Sequence, residues 1–164
     1  MIARVIGTVG GVGYLRPAPG TWGSAAALPM AWAVHMIAGF PAVAAICVAL
    51  FAAGWWATVQ MTAGQSDHDP SEIVMDEVVG QWIALAPILY VSLSRGLDAL
   101  VMWTGWIAAF VLFRLFDIWK PWLVGWADRR GDALGVMLDD VIAGLFAAIG
   151  VIVLAGVYHG VLAR

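Results

Sequence analysis

Residues 22–62 carry no formal charge, His35 apart, and Gly39-Phe40-Pro41 interrupts this long apolar run. A glycine and a proline two positions apart break helix propagation, so the pattern predicts two apolar helices, residues 22–38 and 41–61, joined by a reversal. The first is at the lower limit of length for crossing a hydrocarbon core of ~30 Å, and the second crosses it comfortably. A polar segment follows at residues 63–77. Residues 78–93 are apolar again until Ser94-Arg95-Gly96, which reads as a turn, and residues 97–113 run back. After a second polar stretch, 114–140, comes a last apolar segment, 141–157. The expectation is an all-α fold, a compact integral membrane bundle of about five apolar helices. With no internal repeat, linker or low-complexity tail, residues 1–164 read as a single domain.

Composition agrees with a chain that lives in lipid. Of 164 residues, 63% are apolar and 12% charged, and the mean hydropathy is +0.91, well beyond an ordinary soluble domain. A formal charge of -3 provides no basic stripe for a phosphate backbone, so nucleic acid is not an expected partner. The single Cys47 sits in an apolar run, excludes an intrachain disulfide and reads as a small buried hydrophobe. Residues 1–13 lack the apolar core and cleavage pattern of a removable leader. The ten tryptophans fall mostly near predicted helix ends, where an indole keeps its ring in hydrocarbon and its N–H in water.

Charge changes the picture more than composition does. If the chain reverses at Gly39-Phe40-Pro41 and at Arg95-Gly96, residues 1–21, 63–77 and 114–140 return to one face. Ten of the eleven carboxylates then gather there, Asp98 alone lying opposite. Arg4, Arg16, Arg114, Lys120, Arg129 and Arg130 share that face, against Arg95 and Arg164, so the positive-inside tendency makes it cytoplasmic.

The richest stretch is Ser66-Asp67-His68-Asp69-Pro70-Ser71-Glu72-Ile73-Val74-Met75-Asp76-Glu77. Asp69 reads as the cap of a helix opening at Pro70, with Glu72 three residues on; Glu72 and Asp76 would share one helical face and Glu77 sit about 100° round. Two carboxylates ~5 Å apart repel by roughly 3 kcal/mol at an effective dielectric of ~20. A hard divalent cation reverses the sign of that interaction, and an oxygen donor set without thiolate or paired histidines favours Mg²⁺ over Zn²⁺. The alternative is a solvated first turn that suits the helix dipole. Asp139-Asp140 forms a second acidic centre, expected where the last apolar helix begins, and an N-terminal cap pair is its plain structural reading.

Arg114, Asp117 and Lys120 recur every three residues and would line one helical side. Two cations flanking a carboxylate can hold a phosphate, Arg by its fork and Lys as a point charge, or can form an ordinary ion-pair ladder. The stretch Pro17-Ala18-Pro19-Gly20-Thr21-Trp22-Gly23-Ser24 precedes the first apolar helix. Its hydroxyls on Thr21 and Ser24, with helix-start N–H groups, could receive an anion. His68 stands beside the acids and could move a proton or be a solvated loop residue; His35 and His159 read as packed or interfacial.

Pro19-Gly20-Thr21-Trp22-Gly23-Ser24, Asp69 to Glu77, Phe116-Asp117-Ile118-Trp119-Lys120-Pro121 and Met137-Leu138-Asp139-Asp140-Val141-Ile142-Ala143-Gly144 together resemble the bacterial phosphatidylglycerophosphatase A family. The resemblance implies an integral membrane, Mg²⁺-dependent phosphatase of the bacterial cytoplasmic (inner) membrane that converts phosphatidylglycerophosphate to phosphatidylglycerol and phosphate. Asp69, Glu72, Asp76, Glu77, Asp117, Lys120, Asp139 and Asp140 match its polar motif positions. Other phosphatase chemistries fit poorly. A cysteine nucleophile needs Arg six positions on, where Ala53 stands, and Asp67-His68-Asp69 follows no buried strand.

The expected site therefore has Glu72, Asp76, Glu77, Asp139 and Asp140 as Mg²⁺ ligands, and Asp76, Asp117, Lys120 and Asp139 as catalytic residues. Thr21, Ser24, Arg114 and Lys120 would bind the phosphate. Asp117 is left open as ligand, base or orienter of Lys120. A divalent-cation carrier and a membrane scaffold are the alternatives, and the sequence is silent on oligomeric state.

Overall fold

The computed structural model describes residues 1–65 and 69–162. Asp67, His68 and Arg164, which entered the reading above, lie outside the described residues. The described chain is all-helical, with six α-helices rather than five: α1 (Ile2–Gly7), α2 (Pro19–Thr62), α3 (Met75–Arg95), α4 (Trp103–Trp119), α5 (Leu123–Asp128) and α6 (Ala133–Val157). Two of the six, α1 and α5, are six-residue helices the sequence reading did not include, α1 in the segment before the first apolar run and α5 within the polar stretch 114–140. Four helical segments are long and apolar enough to cross a membrane, α2, α3, α4 with the 3₁₀ turn before it, and α6.

Helix α2 is two helices in one. Gly39 sits at φ 75°, ψ 180°, a conformation open to glycine and not to an L side chain, and the chain reverses there. The contacts with α3 show the reversal. Along residues 19–38 the partners advance together, Trp82 Nε1 donating to Ala27 O at 3.0 Å and His35 Nε2 meeting Ser92 Oγ at 2.9 Å. Along residues 40–62 they run oppositely, from the edge-to-face Phe40–Tyr90 pair to Gly54, where an added Cβ would lie 2.8 Å from Met75. The predicted hairpin is present, and Pro19 extends its first arm to 20 residues, about 30 Å.

Helix α3 is the centre of the bundle. It has the lowest hydropathy of the four candidate spans, 1.3, and the largest buried share, 56%. The two facts belong together, because a helix wrapped by protein needs less apolar surface than one facing lipid and tolerates Asp76, Gln81 and Ser92 in its buried positions. Around it Ile37, Val48, Val101, Val111, Ile149 and Ile152 remain exposed, as a lipid-facing surface does. Seven tryptophans, among them Trp22, Trp119, Trp122 and Trp126, are exposed in the manner of interface anchors. Trp82 and Trp106 are not: both are buried in the core, with Trp106 Nε1 donating to Ala99 O at 2.9 Å. His35 is packed as expected; Ser92 donates to Leu97 O at 2.7 Å, so the ring N–H donates to Ser92.

Helices α3 and α6 cross at glycines. A Cβ on Gly80 would stand 2.6 Å from Asp140 O, and one on Gly144 3.1 Å from Gly80 Cα. Only bare backbones come this close, and the contact brings the start of α3 beside the acids of α6.

Candidate active site

The acids meet at the head of the bundle, where α3, α4 and α6 have their polar ends. Two starting points differ from the sequence reading. Helix α3 opens at Met75 and not at Pro70: residues 70–73 close a turn through Ile73 N to Pro70 O at 2.9 Å, and Val74 N donates to Gly7 O at 2.9 Å. Burial of Ile73 and Val74 against the N-terminal segment wins over helix extension. Glu72 therefore lies in a turn and off the helical face of Asp76. Helix α6, conversely, opens early, at Ala133, capped by Asp132 accepting from Gly135 N at 2.7 Å. Asp139 and Asp140 are thus two turns inside the helix and buried, at 5% and 2% exposure, and are no N-terminal cap pair.

Each acidic pair is held in the same way. Asp76 Oδ1 accepts from Glu77 N at 3.1 Å, and Asp139 Oδ1 from Asp140 N at 2.9 Å. Carboxylate oxygens of Asp76, Glu77 and Asp140 lie within 4.8 Å of one another. Among the described residues, both oxygens of Asp140 and Oε2 of Glu77 are buried without a hydrogen-bond donor. Asp117 is within electrostatic reach of Asp140, and two carboxylates bring acceptors to each other and no donor. Asp69 is within electrostatic reach of Asp76 and Asp139. Repulsion among so many acids in a low-dielectric setting is relieved by protonation or by a bound cation. Glu77 Oε2 and the two Asp140 oxygens, unpartnered among the described residues, are hard oxygen ligands that a divalent cation of the Mg²⁺ or Ca²⁺ kind could take.

Cations flank this triad on two sides. Arg114 Nη1 is 2.5 Å from Asp117 Oδ2, 3.9 Å from Glu77 Oε1 and 3.4 Å from Ser24 Oγ, which itself donates to Gly20 O at 2.9 Å. Gly20 makes that convergence possible: a Cβ there would collide with Glu77 Oε1 and stand 3.2 Å from Arg114 Nη1. Lys120 leaves the predicted three-residue ladder. Helix α4 ends at Trp119, and Lys120, before Pro121, takes φ 49°, ψ 53°, which sends its ammonium to Asp139 Oδ2 at 2.9 Å and to Asp128. Burial opposes its charge, but the hydrogen bonds to Asp128 and Asp139 outweigh that and hold its pKa above the ordinary lysine value.

Of the expected residues, the structure brings together Asp76, Glu77, Asp140, Asp117, Arg114 and Ser24, with Asp139 and Lys120 adjoining. It does not bring in Glu72, and Thr21, half-buried in the first turn of α2, makes no side-chain hydrogen bond to the cluster among the described residues. Asp117 pairs with Arg114, while Lys120 pairs with Asp128 and Asp139. Sequence reasoning missed Asp128 and Gln81, the latter fully buried one turn below Glu77 with both amide atoms unpartnered among the described residues. The two surface grooves flanking α1, about 560 and 640 Å³, have Arg4 in both walls and no acid of the cluster.

The fold and site together are those of a membrane-type helical bundle with a buried carboxylate cluster that could hold a cation and with an arginine and a lysine beside it. The chain belongs to the phosphatidylglycerophosphatase A family, whose sequence profile matches residues 5–155. It is 36% identical over 140 residues to phosphatidylglycerophosphatase A of Haemophilus influenzae, covering 85% of this chain and 80% of that one. The Escherichia coli protein of the same name is 33% identical over 140 residues, covering 84% and 74%. A Bacteroides thetaiotaomicron protein with the provisional name phosphatidylinositol-3-phosphatase is 38% identical over 150 residues, covering 88% of each. No solved structure matches the chain significantly.

Proposed function

We propose that this chain is a Mg²⁺-dependent lipid phosphatase that hydrolyses phosphatidylglycerophosphate to phosphatidylglycerol and phosphate in phospholipid biosynthesis. It would work at the cytoplasmic face of the bacterial inner membrane. Family membership supports a phosphoric monoester hydrolase. The observation that carries the metal reading is the Asp76–Glu77–Asp140 triad, in which oxygens of Glu77 and Asp140 are buried with no donor among the described residues.

In this mechanism Asp76, Glu77 and Asp140 hold the cation, which when bound supplies Lewis acidity and a more acidic attacking water. The chain's own residues do the rest. Arg114, steadied by Asp117 and Ser24, presents its fork to the phosphate oxygens, and Lys120, steadied by Asp139, adds a second positive charge. Asp117 and Asp139 are already engaged by cations, so their first role is to aim Arg114 and Lys120. Position and electrostatics then provide most of the rate, as is usual for phosphoryl transfer.

The test is phosphate release from phosphatidylglycerophosphate in mixed micelles, with and without chelator. Activity should vanish on metal removal and return with Mg²⁺. Asp76→Asn and Asp140→Asn should each lower kcat by ~10² or more. Full activity without metal would sink the metal reading. The name of the Bacteroides relative supports a second substrate, phosphatidylinositol 3-phosphate, which offers the same phosphomonoester on a bulkier headgroup. A side-by-side kcat/KM comparison decides between them.

A further inference from the structure

We propose that Asp128 is a positioning residue of this site, holding the Lys120 ammonium against Asp139 so that the cation stands ready for the substrate's phosphate. The proposal rests on the phosphatase reading above.

The chain between α4 and α5 is bent in a costly way to achieve this contact. Lys120 and Trp122, on either side of Pro121, both have positive φ, 49° and 44°, which L side chains avoid. Helix α5 then starts at Leu123, and its last residue, Asp128, faces back to the Lys120 ammonium. Val124 and Ala127 are fully buried, so the helical turn that ends at Asp128 is anchored in the core.

The two carboxylates that meet Lys120 are unlike. Asp139 is buried in α6, its side chain 8% exposed and its other oxygen engaged by Asp140 N. The Asp128 side chain is 41% exposed, on the solvent side. An ammonium on a four-carbon stem held by one contact can pivot about it; a second contact from another helix fixes its direction. An ion pair this exposed contributes little to folding and does not by itself repay two strained residues. Strain kept next to a catalytic cation is better accounted for by the aim it gives that cation.

The experiment compares wild type, Asp128→Asn and Asp128→Glu in mixed micelles, with and without Lys120→Met. In Asp128→Asn, kcat/KM should fall about tenfold, mainly through KM, and the inhibition constant for inorganic phosphate should rise by a similar factor. The melting temperature should stay within a degree or two, and Asp128→Glu should recover most of the loss. Asp128→Asn added to Lys120→Met should change nothing more. Unchanged kinetics would overturn the proposal, as would tighter phosphate binding, which would make Asp128 a competitor of phosphate. So would a loss that tracks a fall in melting temperature and is not relieved by glutamate. If wild type is inert toward both lipid phosphomonoesters, the phosphatase reading itself fails; if wild type is active and Asp128→Asn equally so, only the positioning role fails.

Discussion

Gly20 shows how narrowly single residues decide the site. Its missing Cβ is the space that Glu77 Oε1 occupies, with Arg114 Nη1 alongside. Gly20→Ala should therefore push Glu77 away from Arg114 and the triad while sparing the core. We expect a tenfold or greater loss of kcat/KM with little change in melting temperature, roughly what displacement of a catalytic group by a fraction of an ångström costs. Near-normal kinetics in this variant would show that Glu77 need not stay where the structure puts it.

Among the elements, the α3–α6 crossing matters most. Asp140 belongs to one helix and Asp76 and Glu77 to the other, and the close contact of Gly80 with Gly144 lets the two helices bring these oxygens within 4.8 Å. Gly144→Ala would place a methyl group against the Gly80 backbone. The expected cost is about 1–3 kcal/mol of stability, together with a larger loss of Mg²⁺ affinity than of stability, read by thermal melting with and without the ion. A variant that melts lower but binds Mg²⁺ as wild type does would separate the crossing from the site.

For the whole molecule, five apolar helical passes put the acids and the Ser94–Asp98 turn at opposite ends of the bundle. Both Gln65 and Ser94 are exposed. In a Cys47→Ser background, Ser94→Cys should react with a membrane-impermeant maleimide added to intact spheroplasts, and Gln65→Cys only after permeabilisation. The reverse pattern would turn the site outward and contradict the positive-inside reading.

How much of this was legible beforehand follows from the range of the forces involved. Apolar runs broken at Gly39 and at Ser94-Arg95-Gly96 are a local signal, because each residue's transfer into lipid depends mainly on its own side chain; the helices, the hairpin and the single acidic face followed from it. Contacts across the bundle left no such trace. Nothing in local spacing told that Ile73 and Val74 would bury and delay α3 to Met75, leaving Glu72 out, or that Lys120 would turn off its helix toward Asp128. The sequence alone determined that carboxylates and cations gather at one end of a membrane bundle. Only the tertiary structure decided which oxygens share a pocket and which cation each acid holds, because those pairings depend on where helix backbones come close in space.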